Sequence, residues 1–205
     1  MFRDALVKTL FCILMASVVL QGCSNVGKSY SEINPERAEK EVKRANGYYH
    51  LKKKVAPGTA KLILRSEGAG HPASFSYRIA QSKCEKFERI GTAAYTGSGQ
   101  LLPWIAKMTR GASNAMGAKG FLSYSAEPGK PIQIQGDGFS SSSVAGGVRT
   151  VKCGPVTSEF VPQEGRAYLV QFLWEGDTCR QVVSDASDPD KPVALNADKL
   201  TTCVN

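Results

Sequence analysis

Cysteine and histidine are the side chains whose chemistry comes first. The chain has 205 residues, with six cysteines and two histidines. Cys84, Cys153, Cys179 and Cys203 lie in its body, an even number that could close as disulfides in an oxidising compartment. Four cysteines allow about three connectivities, and all three stay open. The pairing Cys84–Cys153 with Cys179–Cys203 is favoured, because the second bridge would pin the C-terminus to the last strong strand. Zinc would call for a Cys-x-x-Cys pair or a nearby histidine, and neither occurs. His50 and His71 are far apart, and neither stands beside a serine or cysteine nucleophile. No Gly-x-Ser-x-Gly elbow and no Ser-x-x-Lys is present. Gly136-Asp137-Gly138 offers one carboxylate where calcium takes about six to eight oxygens. Asp185, Asp188 and Asp190, with Ser184 and Ser187 beside them, read as a solvated loop. No residue is assigned as catalytic or metal-binding, and no cofactor is expected.

Cys23 is a different case. Arg3 and Lys8 form a short basic start, and an apolar run follows from Leu10 to Leu20. Its length suits a secretory h-region of roughly 7–15 residues, short of the ~20 that a spanning helix needs. The run ends in Leu20-Gln21-Gly22-Cys23. This tetrapeptide resembles the lipobox of bacterial lipoproteins, with Gln21 where Ala or Ser is usual. The resemblance implies cleavage between Gly22 and Cys23, a diacylglyceryl group on the Cys23 thiol and acylation of the new amine. It also implies, through Ser24 in place of Asp, transfer to the outer membrane, facing the periplasm, with surface exposure left open. Each buried methylene contributes about 0.8 kcal/mol, so several acyl chains hold where one does not.

Charge supports a location beside the anchor. The formal net charge is +8, and Lys28–Lys61 carries nine basic against four acidic residues. Lys52-Lys53-Lys54 is the densest point and reads as a basic membrane-facing patch, worth roughly 1 kcal/mol per residue near anionic headgroups. Residues 23–58 are therefore expected to be a lipid-anchored tether, mobile from Lys28 to Pro57. It contains one marginal helix, opened by Asn34-Pro35 and stopped at Gly47. Nucleic acid is not an expected partner, because the basic run lacks aromatic platforms beyond Tyr48-Tyr49.

Residues 59–205 are expected to fold as one disulfide-stabilised domain. Lys61–Arg65, Ser74–Ala80, Cys84–Ala94, Phe121–Ser125, Pro131–Gln135, Val148–Cys153, Ala167–Trp174 and Cys179–Val183 read as strands. In Ala167–Trp174, Tyr168, Val170 and Phe172 share one face. Leu101, Ile105, Met108, Ala112 and Ala115 recur at helical spacing and predict one short inserted helix. Gly136–Gly147 is rich in Ser and Gly and reads as a flexible loop. Short strands parted by turns predict a mainly β, antiparallel β-sandwich. The turns at Pro128-Gly129-Lys130 and Gly165-Arg166-Ala167-Tyr168, with Phe160-Val161-Pro162 between them, resemble the immunoglobulin-like or transthyretin-like domains of uncharacterised bacterial lipoproteins.

These readings favour a non-catalytic envelope lipoprotein, held in the membrane by acylated Cys23, whose β domain binds another envelope protein or polymer. A ligand-carrying or inhibitory surface domain is the alternative. An enzyme would need His71 and a nucleophile, or paired carboxylates, brought into one cleft.

Overall fold

The computed structural model describes residues 35–68, 71–80, 86–94, 117–144, 146–176 and 178–199, together with the helical positions 108, 111, 113 and 115. The remainder of the expected inserted helix, and Gly22, Cys23, Cys84 and Cys203, lie outside the described residues. One unit spans Met1–Ala38, of which 35–38 are described and helical; the second spans Glu39–Asn205.

The elements are α1 (Pro35–Ala45), α2 (Tyr48–Lys52), β1 (Ala60–Glu67), β2 (Ala73–Ile79), β3 (Glu88–Ala93), β4 (Leu122–Ala126), β5 (Ile132–Val144), β6 (Gly147–Phe160), β7 (Ala167–Glu175), β8 (Thr178–Asp185), β9 (Val193–Ala194) and β10 (Asp198–Lys199). They form a β-sandwich of two five-stranded sheets, ordered β4-β1-β7-β8-β9 and β10-β6-β5-β2-β3. Neighbouring strands are antiparallel except β1 and β7, which run parallel from Lys61↔Ala167 to Glu67↔Leu173.

Strand alternation builds the core. Leu62 and Leu64 of β1, Phe75 of β2, Ile132 and Ile134 of β5, Tyr168, Val170 and Phe172 of β7 and Val183 of β8 meet between the sheets. Burying each large apolar side chain contributes about 1.5–3 kcal/mol. The Tyr168 hydroxyl accepts the Gln163 N–H at 2.9 Å, which ties the expected turn to the strand it leads. Burial pushes the Tyr168 phenol up from its ordinary value.

Two expectations about this unit are corrected. Gly136–Val144 is not a loop: it continues β5 and pairs with β6 from Gly136↔Val156 out to Val144↔Gly147. Composition misleads here because the glycines face inward and make room for rings. A methyl at Gly136 would lie 2.6 Å from Phe172 Cδ2, and one at Gly138 would lie 2.3 Å from Trp174 Cζ2. The favoured disulfide pairing is also overturned. Cys153 of β6 is bonded to Cys179 of β8, with Cα atoms 5.9 Å apart, so this bridge joins the two sheets. Cys179 is opposite Trp174 on β7, which sets the bridge beside the aromatic end of the core.

The domain also starts earlier than Thr59. Ile63 points away from the sandwich interior, yet it is fully buried. It packs with Leu51, Ala167, Leu169 and Ala186, and with Val55 and Phe121. The segment from Gly47 to Val55 is thus a third layer on the outer face of the first sheet, not a mobile leash. Gly47 makes this approach possible. Its φ is +76°, and a methyl there would lie 2.9 Å from Ile63 Cγ2 and 3.0 Å from Phe121 Cγ. Glycine meets both demands, having no side chain and no penalty at positive φ.

Candidate functional site

Among the described residues, the histidines and cysteines that could carry nucleophilic or metal chemistry are held in structural contacts. His50, on α2, packs its ring 4.8 Å from that of Phe121. His71, just past the other end of β1, stacks on Trp174 at 4.7 Å. The hydroxyl beside His71 is Ser66 Oγ, and it donates to the His71 carbonyl at 2.7 Å, not to the imidazole. A general-base pairing would need the ring nitrogen. Cys153 and Cys179 have given up their thiols to each other.

The acidic loop is likewise engaged. Asp185 pairs with Arg166 and accepts the Ser187 N–H at 3.0 Å. Burial raises its pKa, but the bonds from Ser187 and Arg166 outweigh this and hold the carboxyl below its usual value. Asp188 Oδ1 accepts the Asp190 N–H at 3.1 Å, and Asp190 takes Tyr48 and Lys52. Among the described residues no group of three His, Cys, Asp or Glu side chains is placed to hold a metal ion. Nor is any described helix long and apolar enough to cross a membrane.

Among the described residues, two surfaces stand out, and the fold positions both. The first is the collar formed by Gly47–Val55. Lys61, near the start of β1, donates to the His50 carbonyl at 2.9 Å and to the Lys53 carbonyl, which satisfies C-terminal acceptors of α2. Burial, and then the charge of Lys53, lower the Lys61 pKa. Burial also lowers that of His50, with Lys53 and Lys61 adding to the effect. Asp190 holds the far side of the helix: it accepts from the Tyr48 hydroxyl and lies 3.1 Å from Lys52 Nζ. The Lys52 ammonium also sits 4.7 Å from the centre of the Tyr48 ring. The expected basic patch is therefore divided. All three lysines are exposed, as is Tyr49 at 38 %, but Lys52 is tied to Asp190 while Lys53 and Lys54 are not.

The second surface is the outer half of the β5–β6 hairpin. β2 pairs with β5 only as far as Ala73↔Gly138, and the hairpin runs on to Val144↔Gly147. Beyond Gly138 it is a two-stranded ribbon. Phe139 is 47 % exposed and Val148 70 % exposed, and residues 146–150 are all exposed. From Phe139 to Lys152 there are two basic residues, Arg149 and Lys152, and no acidic one. Sequence reasoning read one strand of it, Val148–Cys153, but missed the strand it pairs with, because a solvent-facing ribbon rich in serine and glycine carries no buried alternation.

No protein-family model, no curated protein and no solved structure matches the chain.

Proposed function

We propose that this chain is a non-catalytic envelope lipoprotein, acylated at Cys23 and held on the outer membrane, whose β domain binds another envelope protein or polymer. The observation that carries the binding role is the β5–β6 ribbon. It extends beyond the sheet that supports it, and it presents Phe139 and Val148 to solvent. A monomeric domain gains nothing in stability from exposed apolar side chains on such an arm, and rimmed apolar patches are what interfaces use. The disulfide between the sheets agrees with an oxidising compartment. The lipobox resemblance, Leu20-Gln21-Gly22-Cys23, supplies the anchor.

Site-specific photocrosslinking in intact cells tests the ribbon. A photoreactive residue at Val148 should give a discrete high-mass adduct, and one at Lys86, an exposed position before β3, should not. Equal crosslinking from both positions, or none from Val148, would overturn the binding role. Labelling with a fatty-acid analogue tests the anchor separately: wild type should label and Cys23→Ser should not.

A further inference from the structure

We infer that the α2 collar is a docking surface for an anionic lipid bilayer, and that it sets the domain on the membrane with the β5–β6 ribbon directed away from it. This rests on the lipid-anchored reading above. Three observations place the surface. Tyr49, Lys53 and Lys54 are exposed together within one short, docked segment. Lysine ammonium groups attract anionic headgroups, and an exposed tyrosine suits the boundary between headgroup and acyl chain. The carboxylates that touch this segment are engaged with it: Asp190 with Tyr48 and Lys52, and Glu164 with the Gly58 N–H at 2.8 Å. Neither is ion-paired with Lys53 or Lys54. The segment is also rigidly mounted, by Leu51 in its apolar cluster and by Lys61 bonded to the His50 and Lys53 carbonyls. A headgroup bound there orients the whole sandwich.

The orientation follows from topology. The collar is latched to the first residues of β1, at Lys61. The chain leaves the opposite end of β1 at Glu67 and enters β2 at Ala73, which pairs with Gly138, and the Phe139 N–H donates to the Pro72 carbonyl at 3.2 Å. The ribbon starts there and runs outward. The lysine-bearing end of the collar, at Lys53, and the ribbon thus lie toward opposite ends of β1, a strand about 25 Å long. A bilayer on the collar leaves Phe139 and Val148 free for a partner.

The test uses the full mature chain with Cys23→Ser, so that no acyl chain contributes. Its binding to vesicles of phosphatidylcholine alone is compared with vesicles containing a minority of phosphatidylglycerol, by co-sedimentation at low and raised salt. Binding should appear on the anionic vesicles only and weaken with salt. Lys53→Gln should reduce the partition coefficient about fivefold, and Lys53→Gln with Lys54→Gln about twenty-five-fold. Tyr49→Ser should weaken binding with both lysines intact, and Lys86→Gln, the same charge change elsewhere, should leave it unaltered. Absent binding, equal binding to both vesicles, or an equal loss from Lys86→Gln would overturn the inference. None of these outcomes bears on crosslinking at Val148, so failure here is distinct from failure of the proposed binding role.

Discussion

Lys61 Nζ, near the start of β1, lies 2.9 Å from the carbonyl oxygen of His50 and donates also to the carbonyl of Lys53. One strand residue thereby closes the C-terminal end of a helix too short to hold itself, since isolated short helices are marginal in water. Lys61→Met keeps much of the stem and removes the donors. It should lower stability by about 1 kcal/mol, at or below the bottom of the range for charged hydrogen bonds because the ammonium is partly solvated. Brief trypsin digestion should then cut at Lys52–Lys54 faster than in wild type. An unchanged cleavage rate would mean that Leu51 and its neighbours hold the collar unaided.

Gly138→Ala tests the packing that turned a Ser/Gly-rich stretch into a strand. The added methyl would meet Trp174 Cζ2 at 2.3 Å and Phe172 Cε1 at 2.7 Å. Overpacking of this kind costs about 1–3 kcal/mol. Gly111→Ala, where nothing lies within 4 Å and the position is helical, should be neutral or slightly stabilising. Denaturant melts of both variants check the contrast.

The bridge between Cys153 and Cys179 closes a loop with a sequence separation of 26. In the chain-entropy description such a loop contributes about 3–4 kcal/mol, so the double Cys→Ser variant at these positions should melt well below wild type. With these two joined, Cys84 and Cys203 are the remaining cysteines between residues 59 and 205, and we expect them to pair. Non-reducing peptide mapping should show Cys153 linked to Cys179 and Cys84 linked to Cys203. A peptide joining Cys84 to Cys153 would refute the assignment.

His50 gives the collar a pH dependence. Its pKa is lowered from 6.5, first by burial and then by Lys53 and Lys61. The unfolded chain therefore binds the proton more readily than the folded one. Stability is full above about pH 6.5 and falls as the pH drops below it. Asp185 and Asp190 are shifted down from 3.8, so their contributions persist until more acid conditions and do not shape this window. The protection of the α2 amides, taken relative to their intrinsic exchange rates, should fall between about pH 7 and pH 5, and His50→Asn should flatten that response. A wild-type profile flat over this range would remove the histidine from the account.

Much of the sandwich is legible from residue order alone. In Ala167–Trp174 the alternation of Tyr168, Val170 and Phe172 names the inward face, and these three are 2 %, 0 % and 0 % exposed in the fold. Turn chemistry marks Gly129 and Gly165, both at positive φ. Such signals are local: each follows from a two-residue period or from one backbone conformation. What the tertiary structure decided depends on residues distant in sequence. Cysteine pairing is set by which strands face each other across the core, and spacing does not encode that. Gly136 and Gly138 suggest a loop until the rings of Phe172 and Trp174 occupy the space their missing side chains leave. The collar is the clearest case. Gly47 and Leu51 offer too little apolar surface to predict a packed segment, yet Ile63, Leu169 and Phe121 together form an outer face that requires a cover. The sequence could show charge and helix signals in that segment. Only the assembled sheet could show that it had somewhere to dock, because burial belongs to the pair of surfaces and not to either one.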